Sequence, residues 1–368
     1  MAPLSDILVL DFSTLLPGPM ATLALADAGA QVIKIERPGR GDEMRGYAPA
    51  IDGDSVNFHM LNRGKRSLAV DLKAPDARDR LRPLIEQADV VVEQFRPGVM
   101  ARLGFGYEDM RALNPGLIYC SITGWGQTGP KAREAGHDLN YMAETGVLGL
   151  SVGADGAPIL PPVLAADIAG GAYPATINIL LALLRRERTG EGVWIDVAMG
   201  ENLFPFLYWA LGNAAALERW PTPGGETVTG GTPRYAIYRT RDGRHLAAAP
   251  LEAKFWEAFT RIIDLPESLR DDARDPAATR AAVAARIAAR DAADWRAAFA
   301  GQDVCCSIVR DLREALADPH WAAREVFARA SRMGGREVAA LPSIVAPSLR
   351  DGTVADRAPA LGEANANW

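Results

Sequence analysis

His137 and Asp167 are the two residues whose types and surroundings most favour chemistry. His137 is one of four histidines and stands among glycine and polar residues in the segment GHDLNY, residues 136–141. Asp167 is a single carboxylate in a run of small and apolar residues, 165–171. Imidazole and carboxylate groups commonly act as general acids and bases. Together they suggest a reaction in which protons move on and off a carbon atom.

Each of these residues also has an ordinary structural explanation. A histidine in a loop often only forms hydrogen bonds, and an aspartate before a helix commonly caps it, which contributes roughly 1 kcal/mol. Asn140 and Tyr141 could cap and pack, and we expect Asp138 to orient His137 or a backbone turn. Taken alone, the segment leaves the catalytic and the structural interpretations open.

Alternating strands and helices must position these groups. Apolar runs interrupted by breakers predict strands at 7–12, 32–36, 67–72, 89–93, 117–122 and 194–198, and helices at 20–28, 77–87, 107–114 and 166–186. Strands that alternate with helices indicate a parallel sheet covered on both faces. The sequence therefore predicts an α/β fold with a Rossmann-like parallel sheet in a large domain.

A second, smaller α+β domain is predicted after this sheet. Residues 234–250 have the pattern of a hairpin around 241–243, and residues 252–320 are helical in pattern and rich in alanine and arginine. The predicted organisation is a large domain at 1–186, a linker or crossover at 187–232, the small domain at 233–320, and a return to the large domain at 321–368.

The first strand–helix–strand unit imitates a dinucleotide-binding fold, with Glu36 ending its second strand. In that fold, glycines allow the backbone to approach a pyrophosphate. After Gly18, the positions that need glycine hold Met20 and Leu23. We therefore do not predict NAD binding.

Composition limits the partners and the compartment. A net charge of -6 and a pI near 5.4 argue against nucleic acid or an anionic membrane as partner. The N-terminus lacks the pattern of a signal peptide, and the apolar stretch 177–184 is too short to span a bilayer. Cys120, Cys305 and Cys306 are a poor disulfide framework, so a cytoplasmic location is expected. The other histidines, which show no metal-ligand spacing, are His59, His245 and His320. No metal is predicted.

Several motifs in one order resemble the class III CoA-transferase (CaiB/BaiF) family. They are LPGP at 16–19, IERP at 35–38, NRGKRS at 62–67, DLK at 71–73, FRPGV at 95–99, TGWG at 123–126, TGP at 128–130, and GEG at 190–192 ahead of IDV at 195–197. The likeness extends from about residue 4 to about residue 330. The resemblance implies an enzyme that acts on CoA thioesters.

Two branches of that family differ in chemistry. In the transferases one aspartate, matched here by Asp167, is the nucleophile that forms acyl-anhydride and enzyme-thioester intermediates. In the α-methylacyl-CoA racemase branch that aspartate is paired with the histidine of a GHD(I/L)NY motif, which this sequence carries intact at 136–141. The racemases also have a glutamate early in the small domain, matched by Glu252. We therefore favour a racemase or epimerase of 2-methylacyl-CoA thioesters. A CoA transferase with Asp167 as nucleophile is the alternative.

The proton-transfer interpretation agrees with physical reasoning. Inverting a carbon that bears one hydrogen needs a base on each face, and burial would raise the pKa of the carboxyl toward that of its partner. The thioester makes the α-hydrogen relatively acidic, but the enolate must still be stabilised. We expect Asp167 to open a helix whose unpaired N–H groups meet the enolate oxygen.

The resemblance also implies the ligand contacts. The residues expected to line the CoA site are Arg37, Val70, Asp71, Leu72, Lys73, Gln94, Phe95, Arg96, Arg102, Gly136, Asp138, Leu139, Asn140 and Tyr141. Dispersed arginines and lysines suit the ribose phosphate and the pyrophosphate. Arg63, Lys65 and Arg66 are three further cations in four residues. Coenzyme A would enter as part of the substrate, so no separate cofactor is expected.

The resemblance finally implies an interlocked homodimer. In such a dimer the active site lies between the large domain of one subunit and the small domain of its partner. Glu252 would then act across the subunit boundary.

Overall fold

Six parallel strands form the sheet that positions the candidate site. The computed structural model describes residues 2–153 and 155–367. The strands of this sheet, in chain order, are β1 (Leu8–Asp11), β2 (Gln31–Glu36), β3 (Arg66–Ala69), β4 (Val90–Glu93), β5 (Ile118–Thr123) and β6 (Val193–Ala198). Four of these strands, β1, β2, β4 and β5, are almost entirely buried. That burial is typical of parallel sheets covered on both faces.

The strand order in the sheet is β3-β2-β1-β4-β5-β6, and every neighbouring pair is parallel. The order reverses between β1 and β4, because β2 and β3 extend to one side of β1 and the later strands to the other. The predicted Rossmann-like parallel sheet is confirmed. In such sheets, ligands bind beyond the carboxyl ends of the strands at this reversal.

Helices connect the strands, and their ends have identifiable sequence causes. In the unit that contains the sheet they are Pro17–Asp27, Val56–Asn62, Ala77–Gln87, Val99–Arg102, Tyr107–Arg111, Asp138–Glu144, a π-helix at Ala166–Ala172, and Tyr173–Thr189. The side chain of Ser55 accepts a hydrogen bond from the Phe58 N–H and caps the second helix. Helix Tyr173–Thr189 ends at Gly190, whose φ of 71° is left-handed. Two short pairs, Ala50–Ile51 with Asp54–Ser55 and Ala330–Met333 with Arg336–Ala339, complete the strands of this unit.

The apolar stretch at 177–184 belongs to a longer helical segment, Ala166–Thr189. By length and composition alone this segment of 24 residues is apolar enough to cross a membrane. Long core helices of globular proteins pass the same test, so the observation is weak evidence for a membrane span. The expectation from the sequence considered only the stretch itself, without the small residues that precede it in the helix.

The second compact unit has a sheet and a core of its own. Its strands are Ala236–Arg239, His245–Ala248 and Cys306–Ile308, joined antiparallel with His245–Ala248 in the centre. The first two form the predicted hairpin. The helices that lie within this unit are Tyr208–Leu217, Ala253–Ile262, Pro276–Ala288, Ala292–Phe299 and Leu312–Leu316. Buried aromatic residues fill its core: Trp256, Phe259, Trp295 and Phe299. This mixture of helices and antiparallel strands is an α+β arrangement.

The contacts divide the chain at positions that differ from the predicted boundaries. One unit contains residues up to 145, residues 161–206 and residues from 321 onward, and the other contains 146–160 and 207–320. The predicted boundary at 186 falls inside the first unit because β6 pairs with β5. The tail also lies in the first unit, where Ala364 donates to the Ser67 carbonyl on the edge strand β3.

Candidate active site

A cavity of about 410 Å³ lies at the carboxyl ends of β1, β4, β5 and β6, where the strand order reverses. We call it the acid–base cavity. Both candidate acid–base residues line it, and all its lining residues belong to the unit that contains the sheet. The lining residues are Leu15, Pro17, Gln94, Phe95, Arg96, Pro97, Ile122, Thr123, Gly124, Trp125, Ala132, Glu134, Ala135, Gly136, His137, Asn140, Tyr141, Asp167 and Met199.

The backbone of His137 is fixed by the start of helix Asp138–Glu144. The His137 N–H donates to Asn140 Oδ1 at 3.0 Å, and the Asn140 N–H donates back to the His137 carbonyl at 2.8 Å. Such a reciprocal pair satisfies donors at a helix start that have no intrahelical acceptor. These bonds hold the backbone of His137 at the helix start. The residue is exposed and lines the cavity.

Tyr141 anchors the other end of this motif. Its hydroxyl donates to the Gly136 carbonyl at 2.6 Å, and its ring packs edge-on against Trp125 with centroids 5.0 Å apart. A side-chain carbon at Gly124 would lie 2.3 Å from the Tyr141 ring, so glycine is required for this close packing. Burial, and then the carboxylates of Asp167 and Asp138, raise the pKa of Tyr141 to about 12. The phenol thus remains a neutral hydrogen-bond donor.

Asp167 lies in the π-helix Ala166–Ala172 that precedes the long helix. Single π-helical turns are frequent at functional sites. Close packing accompanies this turn, because a side-chain carbon at Gly170 would lie 2.5 Å from the Met199 carbonyl oxygen. The Asn202 side chain also donates to the Gly170 carbonyl at 2.8 Å. The position of Asp167 therefore depends on packing against the loop that follows β6.

The pKa of Asp167 is raised to about 6, first by burial and then by the neighbouring carboxylate of Asp138, while His137 acts in the opposite direction. A carboxyl with this pKa exists in both protonation states near neutral pH. It can accept a proton and return it, whereas a carboxyl with an ordinary pKa near 4 is a weaker base. A pKa of about 6 suits a carboxyl that takes up and releases a proton.

The amide groups around Asp167 are not free, in contrast to the expectation from the sequence. The Asp167 N–H donates to Asp138 Oδ1 at 2.9 Å, and the Ile168 N–H donates to the Leu164 carbonyl at 3.1 Å. The expected enolate contact at this helix start is therefore wrong. Asp138 is buried and orients the backbone of Asp167 rather than reaching the cavity wall.

A second cavity, of about 220 Å³, lies at the ends of β2 and β3. We call it the Arg37 cavity. Its lining includes Arg37, residues 70–73, Glu43 and Phe95, and Phe95 also lines the acid–base cavity. The Arg37 guanidinium is exposed and 3.5 Å from the Glu43 carboxylate. Such an exposed pair holds the arginine only weakly, so an anionic ligand can compete for it.

The structure distributes the predicted site residues as follows. Those that line the acid–base cavity are Gln94, Phe95, Arg96, Gly136, His137, Asn140, Tyr141 and Asp167. Those that line the Arg37 cavity are Arg37, Val70, Asp71, Leu72, Lys73 and again Phe95. Those that line neither cavity are Arg102, Asp138, Leu139 and Glu252. Arg102 and Leu139 are exposed, and Glu252 precedes helix Ala253–Ile262 in the second unit.

Arg63 and Lys65 cannot meet phosphates, because both are buried in internal charge pairs. The Arg63 guanidinium forms two hydrogen bonds with the Asp27 carboxylate, at 2.5 and 2.7 Å. Lys65 Nζ contacts Asp11 Oδ2 at 3.1 Å and three further oxygen atoms at 2.7–2.9 Å. Burial lowers the pKa of Lys65 to about 8, although Asp11 opposes this shift. These cations have structural roles.

Glu36 is likewise engaged inside the protein. Its carboxylate accepts two hydrogen bonds from Arg45, both at 2.8 Å, one from the Ser67 hydroxyl at 2.6 Å and one from the Asp42 N–H at 2.9 Å. An acidic residue with four donors has little capacity left for ribose hydroxyls. Among the described residues, no group of three His, Cys, Asp or Glu side chains is arranged to hold a metal ion.

Sequence reasoning overlooked Glu93, the last residue of β4. It is only 4% exposed and follows three valines in a strand whose carboxyl end faces the site. The sequence did carry a signal for this position, because a charged residue ends an otherwise apolar strand of a predicted parallel sheet. Met199 also lines the acid–base cavity and was not among the predicted site residues.

Comparisons with known proteins agree on one family. The model of CoA-transferase family III matches residues 4–365. Human alpha-methylacyl-CoA racemase is 37% identical over 324 residues, which cover 86% of this chain and 80% of the racemase. Mouse succinyl-CoA:glutarate CoA-transferase is 37% identical over 276 residues, which cover 74% of this chain and 62% of the transferase.

Solved structures resemble the whole chain. A CaiB/BaiF family protein from Brucella suis has a TM-score of 0.85 at 30% identity, covering 99% of this chain and 98% of its own. Rv3272 from Mycobacterium tuberculosis has a TM-score of 0.86 at 28% identity, covering 100% of this chain and 98% of its own.

Proposed function

Because the chain belongs to CoA-transferase family III, we propose that it is a racemase or epimerase that interconverts (R)- and (S)-2-methylacyl-CoA thioesters. The observation that carries the proposal is that His137 and Asp167 line one cavity. Racemases and transferases are both among the relatives, at similar identity. The choice between them therefore depends on these two side chains.

The proposed reaction moves one proton at a time. One of the two groups removes the α-proton from one face of the substrate, and the electron pair of the broken C–H bond passes into the thioester as an enolate. The protonated form of the other group then delivers a proton to the opposite face. Asp167 suits either step near neutral pH, because its pKa is about 6. The two groups exchange roles for the other epimer.

The enolate oxygen needs a hydrogen-bond donor. Since the amides at Asp167 and Ile168 are occupied, we assign this role to the first turn of helix Asp138–Glu144. The Asn140 N–H already donates to the His137 carbonyl, so the donor in this turn would be the side-chain NH2 group of Asn140, which lines the cavity. The helix dipole is positive at this position. A donor placed at developing charge in this way commonly contributes about 3–4 kcal/mol to catalysis.

The two cavities suit the two ends of a CoA thioester. The cations Arg37 and Lys73, at the Arg37 cavity, would meet the phosphates of the nucleotide. The thioester would pass Phe95, which lines both cavities, and place its α-carbon in the acid–base cavity. Coenzyme A is then part of the substrate, and the reaction as proposed uses no separate cofactor.

The second candidate is acyl-CoA:carboxylate CoA transfer. Asp167 would attack the thioester carbonyl, expel the CoA thiolate and form a mixed anhydride. Above pH 6 its carboxyl is mostly ionised, as a nucleophile must be. The likeness to mouse succinyl-CoA:glutarate CoA-transferase favours this reaction. A third outcome is a protein that binds acyl-CoA without catalysis.

One experiment separates these candidates. The protein is incubated in deuterated water with a single 2-methylacyl-CoA epimer, first without and then with a free carboxylic acid. We expect deuterium at the α-carbon and loss of optical purity without the acid, because proton exchange needs no acceptor. Mass spectrometry and chiral chromatography measure both. Acyl exchange only with the acid, with a hydroxylamine-trapped adduct at Asp167, would show a transferase. If neither reaction occurs, the protein binds acyl-CoA without catalysis.

We also propose a cytoplasmic homodimer that acts without nucleic acid or a membrane. An interlocked arrangement would bring the Glu252 of a partner to the site, as the family resemblance suggests. An exposed apolar stripe on helix Tyr173–Thr189 gives such a partner a surface to cover. The stripe consists of Ile177, Leu180, Leu181 and Leu184, each 39–57% exposed.

The dimer proposal predicts a specific disruption. Leu181→Glu should reduce the dimer fraction at micromolar concentration by more than tenfold, because it places a charge in a buried apolar interface. Light scattering after size exclusion measures the mass. Leu181→Met is the matched control and should remain a dimer. A wild-type protein that is active as a stable monomer would refute the proposal.

A further inference from the structure

Glu93 is a buried carboxyl at the carboxyl end of β4, and the proton-transfer mechanism does not use it. Glu93 Oε2 accepts a hydrogen bond from the Phe95 N–H at 2.8 Å. The carboxyl also forms a hydrogen bond with the side chain of Ser121, its neighbour on β5. Ser121 Oγ in turn accepts a hydrogen bond from Trp194 Nε1 at 3.0 Å. Glu93 thus connects the strands to the loop that follows β4.

This loop lies at the junction of the two cavities. Phe95 lines both the acid–base cavity and the Arg37 cavity, and Arg96 lines the acid–base cavity. Gln94 Oε1 accepts a hydrogen bond from the Gly18 N–H at 3.0 Å. A molecule that occupies both cavities must therefore pass along a loop whose central amide is held by Glu93.

We propose that Glu93 is a positioning residue for acyl-CoA binding, which holds Phe95 and Arg96 at the junction of the two cavities through the Phe95 amide. The inference depends on the CoA-thioester binding of the proposed function. It does not depend on whether the bound thioester is racemised or transferred.

The charge on Glu93 makes this positioning sensitive to pH. Burial raises its pKa to about 7, assisted by Asp196, while hydrogen bonds from Ser121 and Phe95 oppose the shift. Below pH 7 the neutral acid can accept from the Phe95 amide and donate to Ser121. Glu93 also lines a third cavity, of about 200 Å³. The other titratable groups around Glu93 are Arg96 in the loop, Tyr107, Glu108 and Asp109 at this cavity, and Tyr119 and Cys120 on β5.

Above pH 7 the ionised carboxylate lies buried near the like charge of Asp196. Hydration would relieve that cost. We expect water to enter where the loop moves away from the strand, at the expense of the hydrogen bond from the Phe95 N–H. We therefore expect the affinity for the nucleotide ligand to fall as the pH rises through 7.

The test measures the binding of coenzyme A itself by calorimetry at pH 6 and pH 8. For Glu93→Ala we expect a Kd about tenfold higher than wild type at pH 6. Glu93→Gln should bind as wild type does at pH 6, because its amide can accept from Phe95 and donate to Ser121. From pH 6 to pH 8 the Kd of the wild type should rise at least threefold more than that of Glu93→Gln. Titration of the ligand is common to both proteins and cancels in this ratio.

Three results would overturn the inference. One is a Glu93→Ala protein whose Kd lies within twofold of wild type. Another is equal weakening in Glu93→Ala and Glu93→Gln at both pH values, which would mean that Glu93 supports the fold only. The third is a wild-type protein that does not bind coenzyme A, which would remove the premise shared with the proposed function. If the experiment in deuterated water shows a transferase but the Kd values follow the expected pattern, the inference about Glu93 is supported and only the proposed racemase activity is refuted.

Discussion

Asp167→Asn is expected to lose racemisation and CoA transfer alike, by roughly 10³-fold in kcat. An amide neither exchanges a proton near neutral pH nor attacks a thioester as a carboxylate does. The substitution changes little else, because Asp167 contributes its backbone N–H, not its side chain, to the hydrogen bond with Asp138. Chiral chromatography of the thioester and acyl exchange with the purified variant measure the two losses.

The same variant should be more stable than wild type at alkaline pH. Burial and the Asp138 carboxylate raise the pKa of Asp167 from 3.8 to about 6. The native state then binds this proton more tightly than the unfolded state, so stability falls as the pH rises from about 4 to about 6. The loss is complete above pH 6. The amide of the Asp167→Asn variant carries no such charge, and we expect about 1–2 kcal/mol of added stability at pH 8, discounted for the partial exposure of the site.

Urea unfolding at pH 4 and at pH 8 tests this prediction. The advantage of Asp167→Asn over wild type should be larger at pH 8 than at pH 4. Asp138→Asn is the matched control, since its side chain can still accept the Asp167 N–H while the repelling charge is removed. Asp138→Asn should lower the pKa of Asp167, so the pH below which racemisation slows should move below pH 6. An Asp167→Asn protein with wild-type activity would exclude Asp167 from the chemistry.

The position of the site could be predicted from the sequence because parallel strands end at one edge of the sheet. His137, Asp167 and residues 94–96 are distant along the chain, yet each lies near a strand end or a helix start at that edge. Topology alone brings such residues together. The motif order added the expectation of CoA, and the two cavities that share Phe95 agree with an elongated ligand.

The roles of the buried charges could not be predicted from the sequence. Arg63 pairs with Asp27, which is 36 residues away, and Lys65 pairs with Asp11, 54 residues away. A cluster of cations in the sequence does not show whether its members face solvent or the interior. Only the folded arrangement of β1 and the first helix supplies their partners.

The local structure at Asp167 depended on tertiary contacts as well. Apolar spacing predicted a helix over 166–186, and a helical segment does cover these residues. The hydrogen bond from the Asp167 amide joins it to Asp138, 29 positions earlier in the chain. The π-helical turn packs through Gly170 against Met199, which is equally distant in sequence. Periodicity describes a regular helix and carries no information about such contacts. For that reason the sequence could not show that the amides of Asp167 and Ile168 already have acceptors.

His137→Ala provides the sharpest separation of the two chemistries. With one base removed, the remaining Asp167 can still exchange the α-proton of one epimer for deuterium on a single face. Inversion needs both faces, so we expect racemisation to fall by roughly 10³-fold. Exchange from one epimer should persist within about tenfold of wild type, and exchange from the other should fall with racemisation. Chiral chromatography and mass spectrometry of each epimer measure these rates.

His137→Gln is the matched control for the loss of the side-chain volume, and it should behave as His137→Ala does. The asymmetry between epimers is the decisive feature, because a general loss of folding or of CoA binding would slow both equally. If exchange from both epimers continued at the wild-type rate, the two-base mechanism would be wrong. A variant that retained full CoA transfer to a free acid would instead make Asp167 the nucleophile and His137 a residue of the cavity wall.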